Sequence, residues 1–465
     1  MNKRLYSVYY LLASFLLVTL YSSSSPLYPM NFWCDANGSL TMGKALWRGI
    51  VLYRDVYEQR GPVLYFIHSL ASLISDHSFI GVWPFEVLAV FLFMLYASRI
   101  VRLYTGRWSV LTPAVCWLIL SSPSFSGDCP EEFCLPMIAI SLYLVVRALK
   151  TEQDLTMKDG AYIGACSAIV LWMKFSMLGF WLGSALPVIL EYHLEKKDRV
   201  IMQVLGGVLA GVLFVSMPIL VFYAWNGALA DLFTVYFYNN LHYYPFNPSL
   251  LYKAYFALIG LLDTIVYNKV IWLVIFAGIT GVFRYERNKW VISTLFFSAA
   301  GLTLTVYAGG MRFVYYGIIL MVYALFGLIW ETDLGLQNCR KAFSACTIII
   351  LCGMIGYRLK NTNAIDRSHY VQFRFADQME EDSTLLNYQF IDGGFFTAAD
   401  IYPSVYYPYA LNILTDEIRT EQNRYIAEGK TQYIVSMSDI DEVDINHLYV
   451  KIDEYDGYCL YERNN

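Results

Sequence analysis

The chain has 465 residues, of which 57% are hydrophobic and only 15% charged, against roughly 25% charged in soluble proteins. Its formal net charge of -5 says little about partners, because the charges sit between apolar runs; the absence of a basic stripe or a zinc spacing excludes a nucleic-acid-binding protein. No Walker loop, dinucleotide fingerprint, HExxH or nucleophile elbow occurs, which excludes an ATP-driven pump.

The N-terminal stretch MNKRLYSVYYLLASFLLVTLYSSSS has an apolar core longer than that of a signal peptide and no small-x-small cleavage site, so it reads as a retained signal anchor. Apolar runs follow near 79–98, 108–122, 133–149, 159–174, 176–192, 200–224, 255–283, 290–308, 313–330 and 342–358. Several approach the roughly 20 residues that a spanning helix needs. The run 62–75, PVLYFIHSLASLIS, is short for a span and suits an interfacial or re-entrant helix. With the N-terminus in the cytoplasm, the inner loops hold Arg99, Arg102 and Arg107; Lys150 and Lys158; Lys196, Lys197 and Arg199; Arg284, Arg287 and Lys289; and Arg340 and Lys341. The positive-inside rule is then obeyed at every turn, which predicts about eleven spans and an extracytoplasmic C-terminal segment.

The fold class expected is therefore an all-α polytopic membrane protein with a small extracytoplasmic α/β domain. Residues 1–358 form the membrane domain, with an outer-face loop at 25–78, and residues 359–465 form the tail. Runs such as QYIVSM and LYVKID read as strands in that tail, and DEIRTEQNRYIAEG reads as a helix. The localisation expected is the cytoplasmic membrane, multi-pass. The nine cysteines form no C-x-x-C pair, and Cys129 and Cys134, five apart on a helix, are poorly placed for a bridge.

The charged stretch DANGSLTMGKALWRGIVLYRDVYEQRGP, residues 35–62, follows the first span. Charges of both signs are costly near a bilayer, so the cluster is a functional candidate. Two roles are open to Asp35: a general base at the membrane surface, or the N-cap of a helix starting near Asn37. Arg60 can hold a phosphate through charge-assisted bidentate bonds, and Asp55 and Glu58 can orient Arg54 and Arg60 or bind sugar hydroxyls. The alternative for these residues is a surface ion-pair network. Asp128, Glu131 and Glu132 stand in the outer turn PSFSGDCPEE, as a second acidic site, as oxygen ligands of a divalent cation, or as acids favoured in a first helical turn. Lys174 and Arg312 are lone cations at outer turns that either snorkel or meet an anionic headgroup. The segment WNGALADLFTVYFYNNLHYYPFNPS combines aromatic and amide groups that suit sugars, although interfacial belts have the same composition; His242 reads there as an interfacial side chain.

An outer-face Asp after the first span, then G-x-x-L-Y-R-D-x-Y-E-x-x-G-P over Gly49–Pro62, the GDCPEE turn, Lys174 and the tail LLNYQFIDGGFFTAADIYPSVYY together resemble the C-type (GT-C) membrane glycosyltransferases, in particular the bacterial group similar to protein O-mannosyltransferases and aminoarabinose transferases. The resemblance implies a GT-C-like fold. It also implies transfer of a sugar from a polyprenyl-phosphate donor to a glycan, lipid or protein acceptor on the outer face, with inversion. Asp35 would be the base, Arg60 would lie near the carrier phosphate, and an acid of the 128–132 turn would be a second site group. No cofactor is required by this reading beyond a possible divalent cation on Asp128, Glu131 or Glu132. Two departures stand out: Asp35-Ala36 replaces the family's frequent Asp-Glu, and Arg60-Gly61-Pro62 replaces Lys-Pro-Pro. The alternatives from other classes are a multi-span transporter or flippase of a glycolipid, and a non-catalytic relative. Against the transporter, the candidates gather on one face and no internal repeat is apparent.

Overall fold

Length and apolarity favour helix, and in the computed structural model eight helical stretches among the described residues are long and apolar enough to cross a membrane: Arg4–Tyr21, Phe79–Thr105, Pro130–Thr151, Met157–Leu194, Asp198–Trp225, Leu250–Tyr267, Lys289–Val306 and Val314–Glu331. The structure describes residues 3–122, 125, 127–244, 249–331, 333, 366–441, 445 and 447–464. The expected span 342–358 lies outside them, as do Arg340 and Lys341.

Three elements differ from the sequence expectation. The run 108–122 yields only the nine-residue helix Thr112–Leu120, too short to cross alone. The single run 255–283 is two helices, Leu250–Tyr267 and Lys269–Tyr285, parted at Asn268 with φ -124 and ψ 44. The Asn268 amide donates to the Thr264 carbonyl at 3.2 Å and its oxygen accepts from Ser122, so a polar residue inside an apolar run is tied down locally. The segment after Trp225 is helical where a loop is expected: Leu229–Leu232, a π-helical turn Phe233–Asn239, and Asn240–His242.

The described residues divide into two units. The first draws on Met1–Ser22, Glu86–Ile219 and Pro245–Lys360. Within it, helix Met157–Lys174 starts at a capping box, Thr156 accepting from the Asp159 N–H and Asp159 accepting from the Thr156 N–H. This helix packs on the 198–219 part of helix Asp198–Trp225 through Gly160 and Gly164 on one side and Gly207 and Gly211 on the other. A methyl group at Gly164 would stand 2.1 Å from the Val208 carbonyl, and one at Gly211 would stand 2.0 Å from that of Ala161. Small residues four apart on both helices allow this backbone-to-backbone approach.

The second unit draws on Ser23–Phe85, Leu220–Tyr244 and Asn361–Asn465. The loop 25–78, read from composition as part of the membrane domain, packs in this unit. Its sheet has four strands: β1 Leu385–Tyr388, β2 Tyr433–Ser436, β3 Tyr449–Tyr455 and β4 Tyr458–Arg463. The order is β1-β2-β4-β3, with β1 parallel to β2 and the other pairs antiparallel. β1 and β2 are buried along their whole length, and helix Thr415–Ala427 places Ile418, Gln422, Tyr425 and Ile426 in the core. The strands expected in QYIVSM and LYVKID and the helix in DEIRTEQNRYIAEG are all present. The short apolar run after Pro62 is the helix Pro62–Ser72, with proline at its first turn.

Candidate active site

Helix Cys34–Ala45 carries Asp35 in its first turn, where a carboxylate meets the positive end of the helix dipole. The N-cap position is held by Trp33, whose side chain makes no capping bond, and Asp35 stands inside the first turn instead of at the cap. Beyond the helix the chain turns at Gly49, with φ +80. A tight loop closes through a Leu52–Val56 bridge, a Tyr53 N–H bond to the Val56 carbonyl at 2.8 Å, and Val51 N–H donating to Asp55. This loop returns Arg60 to the start of the Asp35 helix, just before Pro62 opens the next one.

Arg60 is held on every side. Its Nη2 donates to Asp35, its Nη1 donates to Glu58 at 2.8 Å, its N–H donates to the Tyr65 hydroxyl at 3.2 Å, and its carbonyl accepts from the Tyr53 hydroxyl at 2.7 Å. Glu58 is fully buried. One of its oxygens also accepts from the Tyr409 hydroxyl at 2.6 Å, and the other from the Gln59 N–H at 2.7 Å. Burial opposes the Arg60 charge, but the Asp35 and Glu58 carboxylates outweigh it and hold the guanidinium protonated, its pKa well above the usual value. Burial, with the Glu58 charge beside it, pushes the Tyr409 hydroxyl well up, so that it stays a donor.

The aromatic-amide segment braces the same loop. Asn239 donates to the Tyr57 hydroxyl at 3.0 Å and Asn240 to the Gln59 carbonyl at 2.7 Å. A π turn of this kind often marks a functional position. His242 is exposed and stacks on Tyr238 with ring centroids 3.9 Å apart. Asp55 takes part differently from Glu58: it pairs with Arg54 through two bonds of 2.7 and 2.8 Å at the surface.

A second polar cluster in this unit was not singled out by sequence. Lys44 is buried and donates to the Phe396 carbonyl and to Asp400, both at 3.1 Å. Burial pulls its pKa below the ordinary lysine value. One turn back, Thr41 donates to the buried Asp392 at 2.7 Å, and the Gly394 N–H donates to the same carboxylate at 2.8 Å. Burial pushes Asp392 up to about 6. The signal for Lys44 was available, since it stands alone among small residues in DANGSLTMGKA; its partners, more than 350 positions away, had no local signature.

In the first unit Asp128 and Glu132 of the 123–132 turn gather with a carboxylate that sequence reasoning passed over, while Glu131 of the same turn pairs elsewhere. Glu86 and Glu132 share the Asp128 N–H, at 2.8 and 3.2 Å, and Glu86 also accepts from Ser22 at 2.7 Å. Asp128 adopts a left-handed backbone, φ +59, directly after Gly127 at φ +83, which aims its N–H at both carboxylates. A carboxylate inside the run WPFEVLAVF was a visible signal. Glu131 is in direct contact with Lys174, whose ammonium also lies 3.6 Å from the Tyr316 ring centre. Arg312 pairs with Asp263 at 3.1 Å. One further oxygen of each of Glu86, Glu131 and Glu132 is buried and meets no donor among the described residues, but these three carboxylates do not close on one point as metal ligands would. Among the described residues a different trio, Asp439, Glu454 and Cys459, converges like a metal site, but Lys451 already bridges its two carboxylates at 2.9 and 2.8 Å. Cys129 and Cys134 are free thiols.

No family model and no curated protein matches this sequence. Among solved structures the chain is similar to ArnT from Cupriavidus metallidurans bound to undecaprenyl phosphate, with a TM-score of 0.64 and 10% identity, covering 99% of this chain and 98% of that one. It is equally similar to ArnT from the same organism in the apo state, with a TM-score of 0.62 and 10% identity over 98% and 97% of the two chains. The chain shares the fold of these structures over nearly its whole length.

Proposed function

We propose that this protein is a membrane glycosyltransferase that moves a sugar from a polyprenyl-phosphate carrier to an envelope glycan, lipid or protein acceptor on the outer face of the membrane. The observation that carries the reading is fold similarity along nearly the whole chain to a protein solved with undecaprenyl phosphate bound. The polar cluster around Arg60, in the loop where the sequence resemblance lies, supports it.

In this reading Asp35 is the base. An acceptor hydroxyl or amine gives its proton to the carboxylate while its lone pair attacks the anomeric carbon. The bond from that carbon to the phosphate oxygen breaks, and the carrier leaves as a phosphate monoester. A single displacement with one base inverts the anomeric centre. Arg60 places positive charge beside the reaction; its bonds to Asp35 and Glu58 use two of the five N–H donors of a guanidinium, which leaves others for the carrier phosphate. Fixed charge of this kind stabilises the negative charge that develops on the leaving group. Asp128, Glu131, Glu132 and Lys174 form a second group in this reading, with Glu86 added. Where the reaction takes a divalent cation, the carboxylates of this turn, Asp128, Glu131 or Glu132, are donors of the right hardness.

The test is a comparison of envelope glycans, lipids and glycoproteins by mass spectrometry in cells with the gene, without it, and with Asp35→Asn in its place. A sugar present only with the intact gene is expected. Identical profiles in all three strains would rule the reading out.

A further inference from the structure

We infer that Tyr409, supplied by the C-terminal segment, is a positioning residue for this site: its hydroxyl fixes Glu58, Glu58 fixes the Arg60 guanidinium, and the guanidinium fixes the Asp35 carboxylate. The inference rests on the reading of Asp35 as the base.

Tyr409 reaches the site because the sheet delivers it. The Asn387 N–H of β1 bonds to the Pro408 carbonyl at 2.9 Å, and the Ala410 N–H bonds to the Phe390 carbonyl at 2.9 Å. The residue between them is thereby clamped on both sides, and its side chain is buried. Its hydroxyl and the Arg60 Nη1 share one Glu58 oxygen, at 2.6 and 2.8 Å. That sharing balances the charge of Glu58 between two donors. Without the hydroxyl, the same oxygen would draw the guanidinium alone, toward Glu58 and away from Asp35. The carboxylate would then lose part of the charge that orients it.

The helix bearing Asp35 makes room for this arrangement at Gly38. A methyl group there would stand 3.1 Å from the Tyr409 hydroxyl oxygen and 3.5 Å from the Arg60 Nη1. The other titratable groups near the chain of bonds include Cys34, Tyr53, Tyr57, Tyr65 and Asp392. The C-terminal segment is in this view part of the reaction machinery, and a chain truncated before β1 lacks one of its supports.

The experiment uses full-length protein in lipid vesicles, with polyprenyl-phosphate-linked sugars extracted from the producing cells as donor and product measured by mass spectrometry. Tyr409→Phe is expected to lower kcat roughly 10-fold or more, the scale of one hydrogen bond to a charged group, with KM for the donor little changed. A loss confined to kcat, with donor KM kept, is the signature of a misplaced base rather than of a damaged donor site. Gly38→Ala serves as the second variant: it leaves the hydroxyl in place but crowds it, and alanine favours the helix, so folding is kept. The same fall in kcat with donor KM kept is expected. Wild-type kcat in folded Tyr409→Phe and Gly38→Ala, with Asp35→Asn inactive, would overturn the positioning role and leave the function standing. Wild-type transfer by Asp35→Asn would overturn both.

Discussion

The carboxylate of Asp35 accepts a hydrogen bond from Arg60, a residue 25 positions further along the chain, and the same guanidinium reaches Glu58 at 2.8 Å. One cation therefore serves two acids, one of them fully buried and the other in the first turn of a helix. This division fixes what each substitution should do.

Asp35→Asn keeps the shape of the side chain and removes the proposed base. Transfer should fall by about 10²–10⁴-fold, the usual contribution of a positioned base, while expression and membrane insertion are unchanged. Product formation in vesicles, beside size-exclusion profiles of the purified variant, checks both halves.

Arg60→Ala leaves Glu58 buried without its cation. Breaking a buried pair from one side costs about 3–5 kcal/mol, so a lower melting temperature should accompany the loss of activity. Arg60→Lys should recover part of the stability and less of the activity, because an ammonium lacks the planar fork that reaches both acids. Pairing Arg60→Ala with Glu58→Gln should restore stability without transfer. Thermal unfolding of the three variants, each with an activity assay, separates the two effects.

Lys174 and Glu131 follow the same logic in the first unit. Glu131 is fully buried and Lys174 is its partner. Lys174→Met should destabilise the protein, and Lys174→Met with Glu131→Gln should recover most of the loss, because the orphaned charge is gone. A double variant no more stable than Lys174→Met alone would count against the pairing.

Asp392 supplies a pH signature. Its pKa in the folded protein, about 6, stands above the ordinary 3.8 because of burial. The folded state therefore holds the proton more tightly than the unfolded chain. The stability linked to this group is complete below about pH 4 and is lost as pH rises through about 6, at roughly 1.4 kcal/mol per pH unit in between. Asp392→Asn has no such loss. The melting temperature of the Asn variant relative to wild type should rise across that window and then level off.

The Lys and Arg clusters at alternate loops predict that the C-terminal segment lies outside the cytoplasmic membrane. A reporter fused after Asn465, or a membrane-impermeant thiol label at an introduced cysteine in the tail, should read outside. A cytoplasmic signal would reverse the topology.

Composition and run length alone gave a polytopic helical protein with a small mixed domain at its end, because apolarity over about 20 residues is a local property that needs no partner to be read. The strands of QYIVSM and LYVKID were legible for the same reason: alternation and β-branching act within a few residues. The charged loop 35–62 was legible as a place where chemistry gathers, since charge beside a membrane span stands out by itself. The pairing within it was not. Nothing local distinguishes Glu58, which turns inward to Arg60, from Asp55, three residues earlier, which pairs with Arg54 at the surface. The break at Asn268, the partners of Lys44, and the Tyr409 bond to Glu58, 351 positions away, depend on contacts between distant segments. Those contacts are set by which backbones approach closely enough to bury a polar group with its partner, and only the tertiary structure decides that.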